Sequence, residues 1–318
     1  MADTYKAENY KEVDLEPKKQ IRLGKLPIYL VMLILVIIWT VPTMGLLVSS
    51  FRHPQQINNY GWWEVFGDFS PRLNEDGSQR WRNPPPEGLT LDNYERVLGT
   101  STGQGGAMGR AFLNSLLVVI PSTIIPITIA AFAAYAIAWL NWVGRRAVLF
   151  IIVGLLVVPL QMSLIPILRI YTRLGLNGSF LGIWLAHTGF GLPLATYILY
   201  GYISGIPGSI IESAYLDGAT PWMSFTRLVL PLSVPAIASF AIFQFLWVWN
   251  DLLVALVFLT RGNIILVTTR LQELVGSRGQ DWQTLTAGAF ISMILPLVVF
   301  FALQRYFIRG MMAGSVKG

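Results

Sequence analysis

Long runs of apolar residues dominate this sequence and restrict what it can fold into. Six stretches of about 20 to 28 residues reach the roughly 20 apolar residues that a helix needs to cross hydrocarbon. They lie at 27–49, 111–138, 147–168, 180–204, 234–259 and 285–304. A helix pairs its backbone polar groups internally, so it can cross a bilayer alone, whereas an open strand cannot. The sequence therefore predicts an all-α integral membrane protein with six transmembrane helices.

The charged residues are few, and they are unevenly placed. Only 13% of the 318 residues are charged, against about 25% in a typical soluble domain. The net charge is +6, and the lysines lie near the two ends of the sequence, at Lys6, Lys11, Lys18, Lys19, Lys25 and Lys317. Positive residues collect on the cytoplasmic side of a membrane, beside anionic lipid. We therefore expect both termini to be cytoplasmic, with lipid and no nucleic acid as a partner.

The spans divide the chain into segments with different expected environments. These are a cytoplasmic N-terminal arm at 1–26, transmembrane helix 1 at 27–49, an extracytoplasmic loop with an insertion at 50–110, a core transmembrane domain at 111–304 that contains a loop at 205–233, and a cytoplasmic tail at 305–318. The first helix is longer than the 7 to 15 residues of a signal-peptide core, so we expect it to be retained.

The chain has few residues of the types that bind metals or catalyse reactions. The chain has no cysteine and two histidines, His53 and His187, which argues against thiolate or histidine metal sites. The glycine-rich tract Gly99–Gly109 lacks the G-x-x-x-x-G-K-[ST] pattern of a phosphate-binding loop. A membrane enzyme needs converging acids, an activated nucleophile or a metal set. We therefore expect no catalytic residue, no metal ligand and no cofactor in this chain.

The loop at 205–233 interrupts the apolar pattern with polar, glycine and proline residues that are typical of helix starts and ends. Ser209 and Glu212 have the S-x-x-E spacing of a capping box, which predicts a helix start. Gly218 is suited to a left-handed C-cap that ends this helix. Thr220-Pro221 then predicts the start of a second short helix. Pro231 and Pro235 are expected to mark its end and the beginning of the fifth span.

The spacing within this loop resembles the EAA motif of bacterial ABC importer permeases, E-A-A-x3-G-x9-I-x-L-P. Here the motif reads Glu212-Ser213-Ala214, Gly218 and Leu228-Val229-Leu230-Pro231, with serine for the first alanine and leucine for isoleucine. The segments LDNYERVL at 91–98, WVWNDLLVAL at 247–256 and YFIRGMMAGSVKG at 306–318 also resemble the shorter, six-span subunit of maltose-type carbohydrate permeases. The 60–88 insertion is similar to that of alpha-glucoside permeases.

The resemblance implies a division of labour among subunits. The chain would adopt the ABC type I importer permease fold in a bacterial plasma membrane and form a pore with a second permease, as a heterodimer. Two ATPase subunits would bind ATP and Mg, and an extracytoplasmic protein would deliver the sugar. A coupling helix between helices 4 and 5 would seat in the ATPase. The motif positions that carry this role are Glu212, Ser213, Ala214, Asp217, Gly218, Leu230 and Pro231, and Tyr215, Leu216 and Trp222 could fill the ATPase groove.

A polar group near the end of the fifth span is a candidate translocation path. Gln244, Trp247 and Asp251 fall in one sector of an ideal helix, with Asn250 at its edge. Amide and carboxylate groups suit sugar hydroxyls, and an aromatic ring suits a sugar's C–H face. Two alternatives stay open: Asp251 reaches the outer headgroups, or the polar groups make helix-to-helix hydrogen bonds.

The main alternative function is a self-contained secondary transporter for a small polar solute. Such transporters usually carry several ionisable residues within their spans and internal repeats. The spans here contain Asp251 and His187, and the sequence shows no detectable repeat. The sequence therefore favours the importer subunit over this alternative.

Overall fold

The structure is a computed structural model, and it describes residues 26–59, 61–66, 72–73, 76, 79–80, 89–99, 107–259, 261–275 and 281–315. The predicted N-terminal arm at 1–26 lies almost wholly outside these residues, as does much of the 60–88 insertion. The chain divides into two units, Met1–Leu46 and Leu47–Gly318. Within the first unit, the described residues form most of helix α1 (Leu26–Ser50), which contains Pro42.

The second unit is helical apart from one short strand pair among its described residues. Two-residue strands β1 and β2 pair antiparallel, with Arg72 opposite Arg80. The helices and strands are α2 (Pro54–Asn59), a 3₁₀ helix (Trp62–Phe66), β1 (Arg72–Leu73), β2 (Gln79–Arg80), α3 (Asp92–Leu98), α4 (Ala107–Trp139), α5 (Arg145–Leu155), α6 (Leu160–Arg173), α7 (Phe180–Ile203), α8 (Gly208–Leu216), α9 (Pro221–Ser224), a π-helical segment (Phe225–Val229), α10 (Leu230–Trp249), α11 (Leu253–Phe258), α12 (Val267–Val275) and α13 (Trp282–Ser315). The predicted all-α class is therefore confirmed.

The predicted six spans correspond to four uninterrupted helical segments and two bent helix pairs among the described residues. Leu26–Ser50, Met108–Trp139, Pro221–Trp249 and Trp282–Gln304 are each long and apolar enough to cross a membrane. The pairs α5–α6 and α7–α8 bend by 102° and 78°, and they bring the count to six if each is one span. The stretch predicted at 147–168 is divided between α5 and α6. Pro159 adopts an extended conformation there, and a proline disfavours helical backbone at the residue before it.

The fifth span also differs from its prediction at both ends. Pro231 and Pro235 do not separate a short helix from the span, because α9, the π-helical segment and α10 run on without a break. The Leu230 N–H donates to the Phe225 carbonyl, a wider turn that fits a chain about to meet a proline. The predicted end at 259 is wrong as well: α10 stops at Trp249, and α11 begins only at Leu253.

The bundle core forms where α4 packs along α7 and where α10 packs on α4, α7 and α13. Small residues lie at these contacts: Ala130, Ala134 and Ala195 are completely buried. Small side chains let helix backbones approach closely in membranes, where van der Waals packing drives helix association. The buried positions form two apolar clusters, one around Phe258 and Trp249 and the other around Tyr135 and Phe225.

The segment LDNYERVL, which contains α3, is hydrogen-bonded to the backbone just after α1. The Asn93 side chain on α3 donates to the backbone carbonyls of Ser50 at 3.0 Å and Arg52 at 2.9 Å. Arg52 is buried, and its guanidinium donates to the Gln56 carbonyl at 2.7 Å. Burial lowers the pKa of Arg52, and the nearby negative charge of Glu64 acts in the opposite direction. A buried amide thus fixes α3 on the turn that follows α1, and a buried guanidinium joins that turn to α2.

Candidate functional site: a helical corner and a buried polar junction

The 205–233 segment forms a helical corner at one end of the bundle. Helix α8 leaves the axis of α7 at 78°. It begins at Gly208, with Pro207 as its N-cap and no side-chain cap. The predicted Ser209–Glu212 capping box is therefore wrong, because extended backbone at Pro207 starts the helix two residues earlier and places Ser209 inside it. Glu212 is exposed, and within the described part of the chain its carboxylate has no partner.

The corner itself is built on Gly218, as the sequence predicts. Its φ is 82°, a left-handed value that favours glycine. The N–H groups of Asp217, Gly218 and Ala219 donate to carbonyls of the last turn of α8, at 2.9 to 3.0 Å. The Thr220 side chain then accepts from the Met223 N–H at 3.2 Å, with Pro221 at the first turn of α9. Both arms of the corner are thus fixed by local hydrogen bonds.

The outer side of this corner exposes apolar side chains. Leu216 is 89% exposed and Trp222 is 63% exposed, and Ile210, Tyr215 and Met223 are also exposed. Glu212, Ser213 and Asp217 lie exposed among them, whereas Ala214 is half-buried. The predicted residues Leu230 and Pro231 are placed elsewhere, at the start of α10. The structure therefore brings together five of the seven predicted coupling residues, on α8 and its C-terminal turn.

The second predicted site centres on Gln244, which lies at a junction of three helices. Its side chain is completely buried on α10, and its Nε2 donates to the Ser122 carbonyl of α4 at 3.2 Å. The amide also packs against Gly191 of α7, where a Cβ would come within 2.6 Å of Nε2. Its Oε1 is buried with no hydrogen-bond partner among the described residues. Gln244 thus makes the helix-to-helix bond that the sequence left as one alternative.

Gln244 and Trp247 also line a cavity of about 610 Å³. The cavity lies between α6, α7 and α10, and most of its walls are aliphatic or aromatic. Its few polar groups include Ser163 and Tyr171. Asn250 and Asp251 do not line it. The structure therefore separates the four predicted path residues into a cavity pair and a pair at the end of α10.

Asp251 lies in the break between α10 and α11, so the ideal-helix sector does not extend to it. Its Oδ1 accepts from the N–H groups of Leu253 at 2.9 Å and Val254 at 3.2 Å, which caps α11. Its Oδ2 lies 3.9 Å from His187 Nε2 on α7. Asn250 is exposed and donates to its own helix, at the Leu246 carbonyl.

His187 and Ser122 are partners that sequence reasoning did not assign to this site. His187 is buried, and its ring meets the Trp247 ring edge-on, with centroids 6.0 Å apart. As one of two ionisable residues within the spans, His187 gave a usable signal. Ser122 gave no such signal, because it accepts the Gln244 hydrogen bond through its backbone carbonyl and not through its side chain. No group of three His, Cys, Asp or Glu side chains among the described residues could hold a metal ion.

Comparisons with known proteins agree with this architecture. Residues 126–313 match the family described as binding-protein-dependent transport system inner membrane component. The chain is 54% identical, over 92% of both chains, to the osmoprotective compounds uptake permease protein GgtD of Synechocystis sp.. It is 46% identical to the alpha-glucoside transport system permease protein AglG of Rhizobium meliloti, over 92% of this chain and 97% of that protein.

A solved structure shows the same fold. It is a chain of a bacterial ABC transporter involved in the import of the acidic polysaccharide alginate. The TM-score is 0.67 at 19% identity, and the match covers 95% of this chain and 100% of that one. The resemblance read from the spacing around Glu212 and Gly218 is thereby confirmed. The chain belongs to the family of inner membrane components of binding-protein-dependent transport systems.

Proposed function

We propose that this chain is one of two permease subunits of an ATP-driven importer that takes up an alpha-glucoside or another oligosaccharide. The second permease completes the pore, two ATPase subunits bind ATP and Mg, and an extracytoplasmic protein delivers the sugar. The relative that transports alpha-glucosides supports the substrate class, at 46% identity over nearly the whole chain. The more similar relative takes up osmoprotective compounds, which makes small protective solutes the first competitors to test.

The observation that carries this proposal is the exposed helical corner around Gly218. A rigid corner with Leu216 and Trp222 turned outward is unfavourable in water unless a partner covers it. An ATPase groove is the partner that we propose. The corner then lies in the cytoplasm, and both termini lie on the same side as the corner. Because α8 continues from α7 and α9 continues into α10, movement of the corner displaces both helices.

Gln244 and Trp247 are the residues that we propose for the sugar path. Both line the cavity, and the Gln244 Oε1 has an unused acceptor among the described residues. The Trp247 ring offers an aromatic face of the kind that sugar sites use. Asp251 and Asn250 act at the end of α10, where they shape the helix break.

The test is reconstitution of the four-component complex in liposomes. We expect the sugar-loaded binding protein to stimulate ATP hydrolysis and uptake, with alpha-glucosides most effective in a panel that also holds monosaccharides, other oligosaccharides and glycine betaine. A complex stimulated only by glycine betaine would overturn the sugar assignment. Uptake by this chain alone, driven by an ion gradient without ATPase subunits, would overturn the importer assignment and restore the secondary transporter.

A further inference from the structure

The helical corner is held by a third helix besides the two that it connects. Tyr135, on the last turns of α4, is buried, and its hydroxyl donates to the Pro221 carbonyl at 3.0 Å. The same hydroxyl lies 3.4 Å from the Tyr215 hydroxyl. Pro221 is on α9 and Tyr215 is on α8, so one side chain of α4 touches both arms of the corner.

The protons in this contact can be assigned from the donors and acceptors present. Tyr135 has one hydroxyl proton, and the Pro221 carbonyl can only accept. Because Tyr135 donates its only hydroxyl proton to the Pro221 carbonyl, the Tyr215 hydroxyl is the donor to Tyr135 Oη. The Pro221 carbonyl also accepts the Phe225 N–H within the helix, which uses its second lone pair. The three groups are thus oriented in one direction, from α8 through α4 to α9.

Aromatic packing surrounds these hydrogen bonds. The Tyr135 ring lies 5.2 Å from the Phe225 ring, between centroids. Phe132, one turn earlier on α4, lies 4.7 Å from Phe225 and stacks on Trp222 at 6.0 Å with a 9° interplanar angle. Nearby, Trp139 Nε1 donates to the Ile203 carbonyl at the end of α7 at 3.0 Å. One face of α4 therefore contacts the corner and the end of α7 along two helical turns.

We propose that Tyr135 is a positioning residue that sets the angle of the corner and passes its movement to α4. The inference rests on the proposed function, because it assigns a role within ATP-driven transport. Without Tyr135, the corner moves α7 and α10, to which it is joined covalently. With Tyr135, α4 moves together with them, and the three helices that meet at Gln244 respond as one body.

Tyr135→Phe tests the hydroxyl while keeping the ring on Phe225. The matched control is Tyr202→Phe, since the Tyr202 hydroxyl also donates to a backbone carbonyl, that of Leu232 at 3.1 Å, but joins α7 directly to α10. In the reconstituted complex we expect Tyr135→Phe to lower the sugar taken up per ATP hydrolysed by about twofold to tenfold, the usual effect of losing one neutral hydrogen bond. Tyr202→Phe should leave that ratio unchanged. An unchanged ratio in Tyr135→Phe overturns the proposal.

A distance measurement separates this proposal from the proposed function. The chain has no cysteine, so spin labels can be placed on Ser209→Cys and Arg146→Cys, two exposed positions on α8 and α5. In the assembled complex, Tyr135→Phe should broaden the distribution of label distances relative to the labelled parent and to Tyr202→Phe. A distribution as narrow as the parent's overturns the proposal, even where transport fails for another reason.

A second variant covers the case in which Tyr135→Phe does not assemble. Tyr215→Phe removes only the 3.4 Å contact, on a side chain that is partly exposed. It should assemble and broaden the same label distances by a smaller amount. If Tyr215→Phe leaves the distribution unchanged, α4 does not orient α8 through this contact, and the proposal fails. Absence of sugar-stimulated ATPase in the parent complex, with label distances still sensitive to Tyr135→Phe, would overturn the proposed function alone.

Discussion

Asp251 and His187 face each other inside the bundle, with Asp251 Oδ2 3.9 Å from His187 Nε2. The distance is too long for a hydrogen bond. Both groups are largely withdrawn from solvent, with side-chain exposures of 11% for Asp251 and 1% for His187. The other carboxylate oxygen, Oδ1, caps α11 through two backbone N–H groups. A single carboxylate therefore caps the start of α11 and approaches the buried histidine of α7.

The capping role predicts a specific order among Asp251 variants. Asp251→Asn keeps a side-chain oxygen for the two N–H groups, and Asn is as good an N-cap as Asp. Asp251→Ala loses the cap and should destabilise the protein by about 0.5–2 kcal/mol. The measurement is thermal unfolding in detergent, with Asn250→Ala as control because Asn250 is exposed and its side chain donates to the Leu246 carbonyl of its own helix. If Asn is as damaging as Ala, the negative charge beside His187 matters more than the cap.

At the three-helix junction around Gln244, we expect Gly191 to be intolerant of a larger residue. Alanine at position 191 would place its Cβ 2.6 Å from Gln244 Nε2, so the buried amide must leave the Ser122 carbonyl. Overpacking of this kind costs about 1–3 kcal/mol. Gly189→Ala, two residues earlier on α7, is the control, since nothing lies within 4 Å of a Cβ there. Thermal unfolding should show a lower midpoint for Gly191→Ala and little change for Gly189→Ala.

A double variant checks the cause. Truncating Gln244 to Ala removes the atoms that the new methyl group would meet, so Gly191→Ala should cost far less in that background. Equal costs in both backgrounds would show that Gly191 is needed for another reason.

Sequence reasoning succeeded here where a local rule decides the structure. The left-handed Gly218 and the Thr220 cap follow from short-range chemistry, and the apolar runs identified the membrane-spanning helices. It failed where two local rules compete. Pro207 and Ser209 could each begin α8, and the fixed backbone of the proline starts the helix first. The run at 147–168 contains two prolines, Pro159 and Pro166, and the helix breaks before Pro159 while Pro166 lies inside α6.

The polar junction could not be derived from the sequence for a different reason. Gln244 bonds to a backbone carbonyl on a helix 122 residues away, and neither Ser122 nor Gly191 carries a side-chain signal for that contact. An aspartate at position 251 looks the same in the sequence whether its side chain caps a helix or lines a translocation path. Only the packed arrangement of α4, α7 and α10 distinguishes these roles.

The corner residue Gly218 gives the next prediction. Alanine at φ 82° is strained by about 1–2 kcal/mol, because its Cβ approaches the following carbonyl, although no other atom lies within 4 Å. Gly218→Ala should therefore reduce binding of the ATPase subunits or ATP-dependent uptake while the spans still insert. Gly201→Ala is the control, since Gly201 lies within α7 with open space around it. Normal uptake and ATPase binding in Gly218→Ala would show that the corner tolerates other angles.

Glu212 provides the last prediction, and the structure changes what is expected of it. A capping carboxylate would make Glu212→Ala destabilising by about 0.5–2 kcal/mol. Since Glu212 caps nothing and is exposed, both Glu212→Ala and Glu212→Gln should leave the unfolding free energy of the permease within about 0.5 kcal/mol of the parent.

The effect of these Glu212 variants should appear instead between subunits. If the carboxylate pairs with a positive group of the ATPase, Gln and Ala should weaken co-purification of the ATPase subunits to a similar degree, and added salt should reduce the difference from the parent. Asp92→Asn, an exposed acid on α3, controls for the loss of one charge elsewhere. If Glu212→Ala lowers the unfolding free energy of the permease and Glu212→Gln does not, Glu212 has a structural role within α8.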